Sequence, residues 1–147
     1  MSLFNVFRIS SQGMTAQRER LEAAAANLAN ANTTRTAEGG PYRRRDIAFE
    51  PAAADRAGSD FGGSLFDEQP EGVRASTYLA DAEDSVRQYQ PGHPDANADG
   101  YVALPDVNSL EETVNILSAA RAFEANATAF NTAKELARAS LRLGENG

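Results

Sequence analysis

Phe7, Met14, Leu21 and Leu28 recur every seven residues near one end of the chain. Ile116, Phe123, Phe130 and Ala137 do the same near the other. A helix turns once per 3.6 residues, so a seven-residue apolar repeat keeps one narrow stripe along one side. So narrow a stripe suits a coiled-coil seam and not the broad face of a helix in a globular core. The spacing predicts helix from Leu3 to Ala31 in an N-terminal segment 1–31, and from Ser109 to Leu143 in a C-terminal segment 109–147. At 1.5 Å per residue these helices are roughly 40 and 50 Å long. Ala24 and Ala25 fill positions between the large residues of the first helix. Ala120, Ala127 and Leu141 form an interleaved series in the second, broken by Lys134. Gly13 is a weak point, costing ~1 kcal/mol relative to Ala in a helix interior.

The ends of both helices are marked. "NLANANTTRTAEGGP" (27–41) carries Asn, Thr and Gly, which favour turns, and Pro41, which cannot continue a helix. "SLEE" (109–112) reads as a capping box, with Ser109 capping the first turn and Glu112 reaching back to its amide. Gly144 supplies a stop. Asn is a poor helix former, so Asn27, Asn30 and Asn126 need a reason for lying in helical segments. Asn30 reads as a terminating residue, and Asn27 and Asn126 as residues that fix register across a helix interface.

Between the helices the period changes. Residues 45–50, 72–80, 84–89 and 100–104 alternate or are rich in β-branched and aromatic residues, and Gly, Pro and Asp bound them. They read as short strands. Residues 50–72 have no period and read as a long loop, in which Phe61, Leu65 and Phe66 are the docking candidates. The segments are therefore an N-terminal helix (1–31), a loop and first strand (32–50), a small β insert with its loop (51–108) and a C-terminal helix (109–147). The fold class is α+β. The seams alone do not hold two helices of this length. They pair with each other and pack on the insert, or they pack on other chains.

Charge narrows the function. The net charge of −7 argues against sequence-independent nucleic-acid binding, which needs clustered Lys and Arg. The acidity is central: residues 51–108 hold three Arg against eleven acids, and residues 1–50 hold seven Arg against five. The basic run Arg43, Arg44 and Arg45 therefore suits an acidic protein face better than a phosphate backbone. With no Cys, disulfides and thiolate metal sites are excluded, and a single His removes His-pair sites. No stretch approaches the ~20 apolar residues of a membrane helix. Arg8 interrupts the apolar start, so no cleaved secretory signal is expected.

Two local motifs suggest chemistry. Asp95, Asn97, Asp99, Gly100, Val102 and Asp106 occupy positions 1, 3, 5, 6, 8 and 12 of a calcium-loop pattern. An EF-hand needs a helix entering at position 1, and Pro91, Gly92 and Pro94 forbid one. His93 beside Asp95 resembles a catalytic dyad, but no nucleophile stands at fixed spacing, nor is there a Gly-rich phosphate loop. No enzyme, cofactor or metal is expected.

"AANLANANTTRT" (25–36) resembles the signature of flagellar basal-body rod, hook and related axial proteins. "GGPYRRRDIAFE" (39–50), "YQPGHPDANADGYVALPDVN" (89–108), "RAFEANATAF" (121–130) and "AKELARASLRLG" (133–144) are more narrowly similar to the proximal-rod members. The resemblance covers nearly the whole chain except 51–71. It implies that the terminal helices pair as an antiparallel coiled coil lining the inner wall of a tubular rod. It implies partners among other rod subunits and further copies of the chain, and export through the flagellar type III pathway. In axial proteins the ends order on assembly. By position, Phe7, Met14, Leu21 and Leu28 would form the seam with Ile116, Phe123, Phe130 and Ala137. Asn27 and Asn126 would set its register. Tyr42, Arg43, Arg44, Arg45, His93, Asp95 and Tyr101 would meet neighbouring subunits. Asp106 stands where the family block often has Asn, and the acidic, Gly-rich 51–71 segment reads as a species-specific loop. The alternatives are a calcium-binding protein using the 95–106 loop and a coiled-coil adaptor unrelated to flagella.

Overall fold

The computed structural model describes residues 3–52, 72–81 and 85–145. Of the loop expected at 50–72, residues 53–71, with Phe61, Leu65 and Phe66, lie outside the described residues. The elements run α1 (Leu3–Ala29), β1 (Arg45–Pro51), β2 (Val73–Leu79), β3 (Val86–Tyr89), β4 (Tyr101–Leu104) and α2 (Ser109–Glu145). The architecture is α+β: two long terminal helices paired as an antiparallel coiled coil, with, among the described residues, two small two-stranded sheets between them in sequence, β1–β2 and β3–β4.

The chain divides into two compact units. The first comprises Met1–Arg18, Phe49–Ser76 and Ala120–Gly147. Here the start of α1 packs against the end of α2. The Phe7 and Phe130 rings meet edge to face, centroids 4.9 Å apart. Ser10, Ala16 and Ala133 are buried. Gly13 faces Asn126, whose Oδ1 would stand 2.8 Å from a Cβ at that position. The weak point in the helix is thus the notch that admits Asn126. Gly72, just before β2, has φ +143°, and the Gln12 amide fills the place its Cβ would take.

The second unit comprises Glu19–Ala48 and Thr77–Ala119. Ala23, Ala24 and Asn27 of α1 are buried here, as are Glu112 and Ala119 of α2 and Val102 of β4. Arg20 donates to Asn115 Oδ1 across the helix pair, at 2.8 Å. Strands β3 and β4 pair antiparallel, Val86 with Leu104 and Tyr89 with Tyr101. Gly100 makes the turn between them at φ +83°, with the Tyr89 ring and Pro91 packed where a Cβ would be.

In both units the buried apolar helix positions are alanines. Alanine and glycine let backbones approach, and the larger heptad residues then flank the contact. Phe7, Met14, Leu21, Leu28, Ile116, Phe130 and Ala137 are half-buried, and Phe123 is 39% exposed. Leu141, expected in the interleaved series, is exposed.

Two helix-end expectations are corrected. The N-cap of α2 is Asn108, not Ser109. Asn108 Oδ1 accepts from Leu110 N–H at 3.0 Å, and its carbonyl accepts from Glu112 N–H, the first intrahelical bond. Asn and Ser cap about equally well. Just before the cap, Val107 N–H is bonded to the Pro105 carbonyl. At the other end α2 runs through Gly144 to Glu145. A single Gly weakens a last turn without ending it.

Candidate functional site

The signature segment at the end of α1 forms a latch inside the second unit. Asn27 is 1% exposed. Its Nδ2 donates to the Arg45 carbonyl at 2.9 Å, and its Oδ1 accepts from Arg45 N–H at 2.8 Å. One amide therefore satisfies both backbone groups of the first residue of β1, as a neighbouring strand would. The same Oδ1 accepts from the Tyr42 hydroxyl at 3.0 Å. Asn27 thus fastens the returning loop to α1 and does not bridge to α2. A helix-to-helix bond and a helix-to-loop bond look alike in sequence, because either satisfies a buried amide. Asn126 keeps a seam position. Its Nδ2 donates to the Ala122 carbonyl of its own helix, and its side chain occupies the Gly13 notch.

Tyr42 must stay protonated to donate. Burial pushes its pKa above the usual 10; Arg45 opposes that rise and Glu112 adds to it. Glu112, on the first turn of α2, is only 4% exposed and also acts on Arg44. The capping-box reading gave Glu112 a contact only with the Ser109 amide; its burial near Tyr42 and Arg44 comes from the fold.

The loop between Asn27 and Tyr42 is built from local bonds. Asn30 ends α1: its Nδ2 donates to the Ala26 carbonyl at 2.8 Å and its Oδ1 accepts from Thr33. Residues 36–40 close a tight turn in which Gly39 and Gly40 take φ +88° and +75°. Tyr42 N–H returns to the Thr33 carbonyl.

Asp95 ties this loop to the 89–108 block. Its Oδ2 accepts from Thr34 Oγ1 at 2.8 Å, and its Oδ1 lies 3.3 Å from Arg35 Nε. Its own N–H donates to His93 Nδ1 at 3.1 Å. His93 is thus an acceptor within its turn. Asn97 Oδ1 accepts from Asp99 and Tyr101 N–H at 3.0 and 2.8 Å. The first two oxygens of the calcium pattern are therefore engaged in holding protein. Among the described residues, no group of three or more His, Cys, Asp or Glu could hold a metal ion.

The basic run divides. Arg43 Nε donates to the Ala80 carbonyl at 2.8 Å, beside β2. Arg44 pairs with Asp46 at 3.0 Å, a hydrogen bond that raises its pKa. Arg45 has its backbone held by Asn27 and its side chain exposed. Tyr42, Arg43 and Arg44 line a cleft of about 120 Å³ with Ala80, Pro105 and Asp106. That volume suits one side chain and not a metabolite, whose sites are ~300–1,000 Å³. Tyr101 is exposed and meets the Tyr89 ring edge to face at 5.4 Å. The Thr34–Arg35–Asp95 clasp and the Arg20–Asn115 pair were invisible to sequence spacing, because each joins residues distant along the chain.

Two family models match the chain at the segments that form this arrangement. One, described as flagella basal body rod protein, matches residues 7–35. The other, flagellar basal body rod FlgEFG protein C-terminal, matches residues 98–143. Both describe proteins of the flagellar basal-body rod. Similarity extends along the chain to individual members, each a flagellar basal-body rod protein FlgC. The Borreliella burgdorferi protein is 39% identical over 97% of this chain and 98% of its own length. Those of Yersinia enterocolitica and Bacillus subtilis are 37% and 36% identical, over 99% of this chain and all of theirs. The chain belongs to the FlgC family of flagellar basal-body rod proteins.

Proposed function

We propose that this chain is a structural subunit of the proximal rod, polymerising into a hollow shaft that transmits torque and passes exported subunits. The observation that carries the reading is similarity to FlgC proteins along the whole chain, ends included. The fold suits a mechanical role. Torque is carried by close packing rather than by single bonds. The Asn27 latch and the Asp95 clasp fasten the loop to α1 and to the 89–108 block, so these parts stay packed together under load. The role is structural and not catalytic, and it needs no cofactor.

The chain meets other rod subunits and further copies of itself, without nucleic acid and without membrane insertion. No described helix is long and apolar enough to cross a membrane. The flagellar export apparatus delivers the chain to the periplasm-spanning rod. The half-buried series Phe7, Met14, Leu21, Leu28, Ile116, Phe130 and Ala137, with exposed Phe123, completes its packing in the assembled shaft. The test is complementation in a strain whose own gene for this chain is deleted. Swimming restored by the chain, and the chain present in purified basal bodies, are the expected results. Normal swimming in the deletion strain, or basal bodies that lack the chain, would refute the reading.

A further inference from the structure

The first three turns of α2 are apolar on both sides. The inner side carries Ala119, Ile116 and the Arg20–Asn115 bond towards α1. The outer side carries Leu110, 73% exposed, with Val114 and Leu117, also exposed. Spacings of four and three residues place these three on one face. Exposed Glu111 lies at the margin of that stripe, and exposed Asp106 precedes the helix. A helix face with anchors at i, i+4 and i+7 is the form that enters an apolar surface on another molecule.

A surface of matching character exists in the same unit. The β3–β4 register puts Arg87, Tyr89, Tyr101 and Ala103 on one face of the hairpin. The opposite face holds buried Val102. Tyr89 and Tyr101 are exposed although their rings touch, and Arg87 beside them is exposed. Tyr and Arg are the residues enriched where interfaces concentrate their energy. This face is aromatic and cationic, and the helix stripe is aliphatic and edged by carboxylates.

We propose that the Leu110–Val114–Leu117 stripe of one copy docks on the Arg87–Tyr89–Tyr101 face of the next copy, with Glu111 set against Arg87. This rests on the rod reading and deepens it by naming the two faces. The faces differ, so the contact is head-to-tail and leaves one unused face at each end. Such a contact propagates along a helical assembly and does not close into a pair. It is also small. Already partly covered, the two tyrosines can add less than the roughly 300–500 Å² of two fully buried aromatics, well below the ~800 Å² per partner of a stable complex. The contact therefore forms where other rod contacts align the copies, and the free chain stays monomeric.

The chain has no cysteine, so introduced thiols report alone. The full chain carrying both Leu117→Cys and Tyr89→Cys is expressed in the deletion strain, beside each single variant and the unaltered chain. Basal bodies are oxidised and run without reductant. A ladder of dimers and higher species from the double variant only is the expected result. Monomer from the double variant in rods that still support swimming overturns the docking. A dimer from either single variant overturns it too, because like faces would then be meeting. Failure of the unaltered chain to restore swimming would instead count against the rod reading itself. A charge exchange supplies the second measurement. Arg87→Glu and Glu111→Arg each lower incorporation into basal bodies by roughly tenfold, since like charges at a contact are strongly unfavourable. The combined variant recovers it. Full incorporation of the single variants, or no recovery in the combined one, overturns the pairing.

Discussion

Replacing Asn27 by Ala removes three hydrogen bonds at once. Two reach the backbone of Arg45 and one reaches the Tyr42 hydroxyl. A hydrogen bond contributes about 1 kcal/mol net, and a buried group left unpaired costs more. Water can reach the strand once the amide is gone, because the Arg45 residue is exposed. The expected loss is therefore about 3 kcal/mol. Asn27→Asp is more diagnostic. The shape is kept and Oδ1 still accepts, but the second oxygen now faces the Arg45 carbonyl instead of donating to it. Burial and that carbonyl both disfavour the charged form, so the folded pKa of the introduced carboxyl lies above its unfolded ~3.9. The sign follows. Below the unfolded value both states are protonated and the acid can donate to the carbonyl, so the deficit is small. It grows as pH rises through the folded pKa and is full above it. Urea unfolding followed by far-ultraviolet circular dichroism at several pH values measures this, with amide exchange at Arg45 as a local reporter. An Asn27→Ala loss under about 0.5 kcal/mol, the low end for a single hydrogen bond, or an Asn27→Asp deficit independent of pH, would refute the latch.

Other outcomes follow from neighbouring contacts. Asn108→Ala removes the cap of α2 and costs about 1 kcal/mol, whereas Ser109→Ala stays within about 0.5 kcal/mol; urea midpoints of the two variants separate the assignments. Gly13→Ala alone forces Asn126 from its notch, so its gain of ~1 kcal/mol in helix propensity is offset. Joined to Asn126→Ala the gain is recovered, which a double-mutant cycle reads as coupling. Gly100→Ala meets both a left-handed φ and the Tyr89 ring, and costs about 2 kcal/mol with loss of exchange protection in β3–β4. Tyr42, held protonated by burial, contributes stability that is present below its unfolded pKa near 10 and is lost as pH rises through the folded value. Tyr42→Phe flattens that alkaline decline in a stability-versus-pH series.

Much of the architecture was legible because secondary structure is local. All four strands and both helices fall within a few residues of where periodicity placed them, since alternation and helical spacing need only near neighbours. Asn30 as a terminator was readable for the same reason. The second capping assignment failed at a boundary of one residue, where Asn108 and Ser109 are equivalent by type. The calcium pattern matched by spacing, yet a ligand set requires oxygens that converge. Asp95 is turned to Thr34 and Arg35, and Asn97 to its own backbone.

The sequence by itself determined two long helices at the ends, a β-rich middle, a chain without cysteine, and the signatures of a flagellar axial protein. These follow from periodicity, composition and short motifs, which one dimension contains in full. Tertiary structure decided which side chains meet. It gave Asn27 to Arg45 and Tyr42 rather than to α2, and Asp95 to the signature loop. It buried Ala16, Ala23, Ala24, Ala119 and Ala133 most deeply, and left the large heptad residues, Phe7 and Phe130 in contact among them, half-buried or exposed. The reason is geometric. Heptad spacing defines a face, but the depth at which two backbones settle depends on the smallest residues across that face. Partners distant in sequence become neighbours only once that depth is set.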